Sequence, residues 1–140
     1  MLLKYHFNMN YETLLKQHHL KVTPQRLGIL DMMHNAGHIT VEHLFIEIKK
    51  QFSSISLATL YKNINSMLES ALITEVKAPN YKTHYEITKT PHAHFVCTSC
   101  GEHKDVEFDM SNLCKDIVNE SSYEVEKTSV IVSGLCPKCK

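Results

Sequence analysis

The sequence predicts an α+β chain in two parts: a run of helices closed by a hairpin, then a small, cysteine-rich α/β part. Three observations carry this. Apolar residues recur at helical spacing from about residue 10 to residue 70. Two short strand-like stretches follow, over 72–76 and 84–88. Four cysteines then stand as two C-x-x-C pairs, Cys97 with Cys100 and Cys136 with Cys139. The expected boundary falls after Thr88, giving domains over 1–88 and 89–140.

Residues 1–8 show no helical period and read as an extension. A short helix is expected over 10–19, with Tyr11, Leu14 and Leu15 on its buried side. Thr23 is a good N-cap and Pro24 suits the first helical position, where its missing N–H is no loss. That helix should run to about residue 35, turn Leu27, Leu30 and Met33 or His34 inward, and stop at Gly37. Thr40 opens a third helix with Val41, Leu44, Phe45 and Ile48 on one face. Ser56 caps a fourth, over 57–70, whose stripe is Leu57, Leu60, Tyr61, Ile64, Met67, Leu68 and Ala71. Its other face holds Ala58, Thr59, Lys62, Asn63, Asn65 and Ser66, small and hydrogen-bonding, with one charge. The two strands then flank Pro79-Asn80-Tyr81-Lys82, a polar, cationic hairpin tip.

Beyond Thr88, strands are expected over 94–97 and 103–108. Ser111 should cap a helix with Met110, Leu113, Cys114, Ile117 and Val118 inward, and 123–133 should form a long last strand. Cys114 lies on that helix's apolar stripe and reads as a core residue rather than a ligand or nucleophile.

Helices followed by a hairpin is the order of a winged helix-turn-helix, which lays its recognition helix in the major groove and its hairpin along the backbone. Thr59, Lys62 and Asn63 are then the candidate base or phosphate contacts, with Tyr61 at the edge of the face, Lys82 on the wing and Lys21 ahead of the second helix. A solvated helix face and an ordinary loop are the competing reading. Net charge is zero, with 9 Lys/Arg against 7 Asp/Glu up to Thr88 and 6 against 8 after it, so any nucleic-acid surface must be local.

The two C-x-x-C pairs, 35 residues apart, can close four thiolates tetrahedrally on one ion, and zinc suits them best. Two disulfides, or iron in a rubredoxin-like knuckle, compete. Closing the C-terminus onto residue 97 makes this a folding site. Apolar content is 43%, no run of eighteen apolar residues exists, and the N-terminus lacks a secretory pattern. The missing apolar run excludes a membrane span, and five cysteines without an export signal indicate the reducing cytoplasm.

A second constellation is mixed. His92 and His94 face one side of a strand, Asp105 lies on the strand expected to return beside them, His84 and Glu86 repeat the i, i+2 geometry, and His38 sits in the loop at Gly37. Imidazole with carboxylate suits Fe(II), Mn(II) or Zn(II). Whether the fold brings the distant His38 near is not legible from composition.

Together, Lys21-Val22-Thr23-Pro24-Gln25-Arg26, Ser56-Leu57-Ala58-Thr59-Leu60-Tyr61, His92-Ala93-His94, Cys97-Thr98-Ser99-Cys100-Gly101 and Cys136-Pro137-Lys138-Cys139 resemble the ferric uptake regulator (Fur) superfamily from about Met9 to Cys139. The resemblance implies a cytoplasmic, homodimeric, metal-dependent repressor of double-stranded DNA operators. It further implies an N-terminal winged helix-turn-helix DNA-binding domain and a C-terminal α/β dimerisation domain with structural Zn(II) on Cys97, Cys100, Cys136 and Cys139. Carried over by position, a regulatory Fe(II) or Mn(II) would be held by His38, Glu86, His92, His94 and Asp105. A further site of many iron sensors would need ligands where this chain has Pro91, Ala93, Asn112 and Thr128, so two sites per subunit are expected.

Asp105 matches the peroxide-sensing, PerR-type branch, where iron sensors usually carry Glu, whereas Glu86 stands where peroxide sensors commonly have Asp. The branch favoured is PerR-like. It implies reaction of Fe(II) with hydrogen peroxide and oxidation of His38 or His92, releasing DNA. A Fur-type iron-uptake or zinc-uptake regulator is the alternative. A small metalloenzyme or rubredoxin-like electron carrier is the remote one, since nothing in the chain resembles a substrate pocket or a nucleophile–base pair.

Overall fold

The computed structural model describes residues 10–120 and 122–140; the expectation for residues 1–8 lies outside them. The chain divides into two compact units, one running to Lys77 and resuming over Lys82–Thr88, the other built from Ala78–Tyr81 and Lys89–Lys140.

In the first unit, capping chemistry sets the helix starts. Asn10 accepts the Thr13 N–H at 3.1 Å ahead of α1 (Tyr11–Gln17). Thr23 accepts the Arg26 N–H at 3.2 Å ahead of α2 (Pro24–Ala36), which has Pro24 in its first turn. Gly37 ends α2 at φ 75°, a left-handed conformation that costs glycine little. Thr40 and Ser56 cap α3 (Val41–Gln51) and α4 (Leu57–Glu69) in the same way. Strands β2 (Ile73–Val76) and β3 (His84–Ile87) pair antiparallel. A two-residue strand, β1 (Ile39–Thr40), pairs with the other edge of β3, so the sheet order is β1-β3-β2.

The core between helices and sheet is apolar throughout, with Leu15, Leu30, Leu44, Ile48, Leu60, Ile64 and Met67 fully buried. The expected faces need three corrections. In α2 the buried set is Ile29, Leu30 and Met33, while Leu27 is half-buried and His34 exposed. Leu57 and Tyr61 on the α4 stripe stay 44% and 40% exposed. Ala71 is exposed and takes φ 58° in the turn into β2.

The second unit has β4 (Ala93–Cys97) in the middle, antiparallel to β5 (His103–Val106) and parallel to β6 (Ile131–Gly134). Helix α5 (Ser111–Glu120) begins where the Asp109 side chain accepts the Ser111 N–H at 3.0 Å. The long last strand contracts to Ile131–Gly134, and Tyr123 is 74% exposed. Ladder hydrogen bonds require a partner backbone. The Val130 carbonyl accepts the His94 N–H at 3.0 Å, at the end where β4 itself begins. Helix α5 also departs from expectation. Met110 is buried, but Leu113, Ile117 and Val118 are 43–48% exposed and Cys114 is half-buried, its Sγ 3.2 Å from Thr128 Oγ1. An amphipathic stripe calls for a cover, and periodicity cannot say whether the same chain provides it.

Candidate metal centres and nucleic-acid interface

The two C-x-x-C pairs fold as matching knuckles. After β4, the Gly101 N–H reaches back to the Cys97 carbonyl at 2.9 Å, with Gly101 at φ 74°, a conformation glycine adopts without a Cβ clash. After β6, the Cys139 and Lys140 N–H groups both donate to the Cys136 carbonyl at 3.0 Å. The four sulfurs lie within 4.8 Å of one another, with Cys100 and Cys136 3.8 Å apart. A tetrahedron of zinc–sulfur bonds of about 2.3 Å places its sulfurs about 3.8 Å apart, so the cage has the right size. All four thiols are free, which rules against the disulfide reading.

At Cys97 the backbone favours the thiolate. Backbone N–H groups of Cys100 and then Cys136 hold the Cys97 thiol down to about 6, because they stabilise the thiolate. The Cys136 N–H lies 3.4 Å from Cys97 Sγ. Burial pushes the Cys136 thiol up.

The mixed set is placed in two portions, one by each unit. In the first unit, the β1–β3 register pairs Ile39 with Tyr85, and one residue further along brings His38 opposite Glu86. His38 Nε2 meets Glu86 Oε2 at 2.9 Å, and Glu86 is 2% exposed. In the second unit, the register sets His94 across from Asp105. His92 lies just before β4, and its Nδ1 is hydrogen-bonded to the Thr90 carbonyl at 2.9 Å. That aims His92 Nε2 at His94 Nε2 (2.9 Å) and Asp105 Oδ1 (3.2 Å), with His94 Nε2 at 3.6 Å from the same oxygen. Two imidazole nitrogens this close cannot both present protons to each other. With a carboxylate oxygen beside them, the donor set fits a divalent cation of intermediate hardness. His84, on the strand with Glu86, hydrogen-bonds through Nδ1 with the Lys82 carbonyl at 2.9 Å.

The candidate nucleic-acid residues fall into two groups. Lys21, Tyr61 and Lys62 are exposed on the first unit. Thr59 and Asn63 are hydrogen-bonded within it. Thr59 Oγ1 accepts from Ser56 Oγ at 2.9 Å, while Asn63 donates to the Thr59 carbonyl at 3.2 Å and accepts from Arg26 Nε at 3.1 Å. Arg26 also donates to the Lys21 carbonyl at 2.9 Å, so it ties α2 to α4 and to the segment before α2. Sequence reasoning missed Arg26; the only signal was its place in the first turn of α2, beside the capping motif. Lys82 Nζ pairs with Glu42 Oε1 at 3.1 Å, and the Glu42 carboxyl is held below its ordinary range by its own backbone N–H and then by Lys82. Lys89, also missed, ion-pairs with Asp105.

Helices capped by a winged hairpin, joined in one chain to a thiolate cage and imidazole–carboxylate sets, define a metal-binding, DNA-binding regulator. The family model for the ferric uptake regulator family matches residues 17–133, and the chain belongs to that family. It is similar to the crystal structure of the Campylobacter jejuni peroxide stress regulator, at 39% identity and TM-score 0.74, covering 94% of this chain and 100% of that one. The ferric uptake regulation protein of Synechococcus elongatus is 30% identical over 128 residues, 86% of each chain. The peroxide operon regulator of Bacillus subtilis is 24% identical over 127 residues, 89% of this chain and 88% of its own. The chain is therefore a metal-dependent transcriptional regulator and not an enzyme, which removes the electron-carrier and metalloenzyme readings. Among the described residues no helix is long and apolar enough to cross a membrane.

Proposed function

We propose that this regulator is a PerR-like peroxide sensor: a cytoplasmic homodimeric repressor that releases operator DNA when a regulatory-site histidine is oxidised. The observation that carries the reading is the short carboxylate of Asp105 set against His92 and His94, with Oδ1 3.2 and 3.6 Å from their Nε2 atoms. The 39% identity to a peroxide stress regulator supports it. The buried Glu86, in place of the Asp common in that branch, is the observation favouring the alternative, a Fur-type iron- or zinc-uptake regulator.

In this proposal residues up to Thr88 form the DNA-binding domain, and 89–140 the dimerisation and zinc-binding domain. Cys97, Cys100, Cys136 and Cys139 hold structural zinc. His38 and Glu86 from one domain and His92, His94 and Asp105 from the other hold one Fe(II) or Mn(II). Sharing ligands in this way selects one relative placement of the domains, and so one spacing of the paired α4 helices over two half-sites. Differential affinity for that placement is all the ligands can contribute to the switch. On the DNA-facing side Thr59, Lys62 and Asn63 of α4 meet bases or phosphates, with Tyr61 at the edge of that face, Lys82 on the wing and Lys21 ahead of α2. Bound Fe(II) would supply the chemistry with hydrogen peroxide, and His38 or His92 is the group that takes up the oxygen.

The test is peroxide treatment of the iron- and manganese-loaded protein, with DNA binding and peptide masses followed together. The iron form should lose DNA and gain about 16 Da, one oxygen, on a peptide containing His38 or His92, while the manganese form should do neither. DNA release by the iron form without that adduct would overturn the peroxide-sensor reading in favour of iron sensing.

A further inference from the structure

The two oxygens of Asp105 face different groups. Oδ1 points at the imidazole pair, 3.2 Å from His92 Nε2 and 3.6 Å from His94 Nε2. Oδ2 is held by the ammonium of Lys89. Lys89 lies three residues ahead of His92, and all four side chains belong to the second unit.

We infer that Lys89 confines Asp105 to one-oxygen ligation of the regulatory cation and is thereby a specificity-determining residue of that site. This rests on the regulatory-site reading above. A carboxylate can offer a cation one oxygen or both. Turning Oδ2 toward the ion would break a charge-assisted hydrogen bond, and it would bring an ammonium close to a dication. Both effects oppose two-oxygen ligation. With the Lys89 and Asp105 side chains 45% and 37% exposed, the repulsion is softened by solvent but not abolished.

The consequence is selective. Cations that favour many oxygen donors, Mn(II) among them, lose most when a carboxylate oxygen is withheld. Cations well served by imidazole nitrogen, such as Fe(II) and Zn(II), lose less. Lys89 therefore tilts the site away from Mn(II) without touching the ion itself, which makes it a positioning residue.

The experiment uses full-length protein with its structural zinc in place, as wild type, Lys89→Met, Lys89→Arg and His92→Ala. Mn(II) affinity is read from the resonance signal of the free ion, and coordination number from the visible absorption of added Co(II). Lys89→Met should bind Mn(II) about fivefold more tightly, the size expected for removing one solvent-screened charge near a dication. Its Co(II) bands should weaken toward the six-coordinate range, and Lys89→Arg should stay near wild type in both measurements. A Lys89→Met protein with wild-type or weaker Mn(II) affinity, or with an unchanged Co(II) spectrum, would overturn the inference and leave the regulatory site standing. Wild-type Mn(II) binding that His92→Ala does not weaken would instead overturn the site, and the role of Lys89 with it.

Discussion

Removing the metal from the four-cysteine cage should unfold the second unit and leave the first folded. The reason lies in how little else holds the second unit. It comprises 56 residues, four from Ala78–Tyr81 and 52 from Lys89–Lys140. Its buried apolar residues, among those described, are Ala78, Ala93, Val96, Cys97, Met110 and Cys136, and two of these are thiols of the four-cysteine cage. Among its described residues the first unit buries fourteen, including Leu15, Ile29, Leu30, Leu44, Ile48, Leu60 and Ile64 at 0% exposure. Burying Val96, Met110 and two alanines contributes about 5 kcal/mol, whereas a structural zinc contributes on the order of 10 kcal/mol. Units this small commonly need such support. The assay is amide hydrogen exchange under reducing conditions, before and after a strong zinc chelator, with bound zinc measured in parallel. Strands β4 and β6 should lose their protection while α2, α3 and α4 keep theirs, and Cys139→Ser should behave like the chelated protein. Full protection of β4 after complete loss of zinc would refute the reasoning.

Three other outcomes are expected. Arg26→Ala should lower the stability of the first unit by about 1–2 kcal/mol in urea unfolding, because the hydrogen bonds it removes are charge-assisted but partly exposed, and it should also weaken DNA binding; a wild-type midpoint would show that the clamp contributes nothing. Lys62→Ala should reduce DNA affinity across sequences and lower the salt-dependence slope by about one, which a titration at several salt concentrations would detect. The third concerns alkaline pH. Burial, and then the Glu75 carboxylate, push the Tyr85 phenol above its ordinary value of 10.0. A raised phenol favours the neutral form in the fold, so its contribution is complete below the unfolded value and is lost as pH rises through the folded one. The urea midpoint of the first unit should thus fall above pH 10 by less in Tyr85→Phe than in wild type, and equal losses would exclude Tyr85 as the source.

What was readable along the chain was short-range. Thr23, Thr40 and Ser56 each cap the helix they precede, and their partners lie three residues on. Gly37 terminates α2 through its own backbone conformation. The α2 face was misjudged at Ile29 because the neighbouring α3 and the sheet, not the period alone, decide which side is covered. Strand β1 went unseen, since two residues carry no alternation to detect. The stretch 123–130 carries β-branched residues and alternation, but among the described residues no strand lies beside it ahead of the start of β4. The exposed Leu113, Ile117 and Val118 show the same limit for a helix. In the candidate sites, the cysteine cage was legible because each knuckle is a four-residue unit. The ties from Arg26 to Asn63 and from Lys89 to Asp105 were not, since neither has a spacing signature.

The residues by themselves determined the helix starts and stops, the two thiol knuckles and the donor types available to a cation, because each depends on chemistry acting across three or four positions. Tertiary structure alone decided which distant donors meet. His38 faces Glu86 because a two-residue strand registers on β3, and His94 faces Asp105 because β4 and β5 pair at that step. Shifting either pairing by one residue would turn those side chains to the opposite face. Register is set by everything else the strands bury, so it belongs to the whole fold.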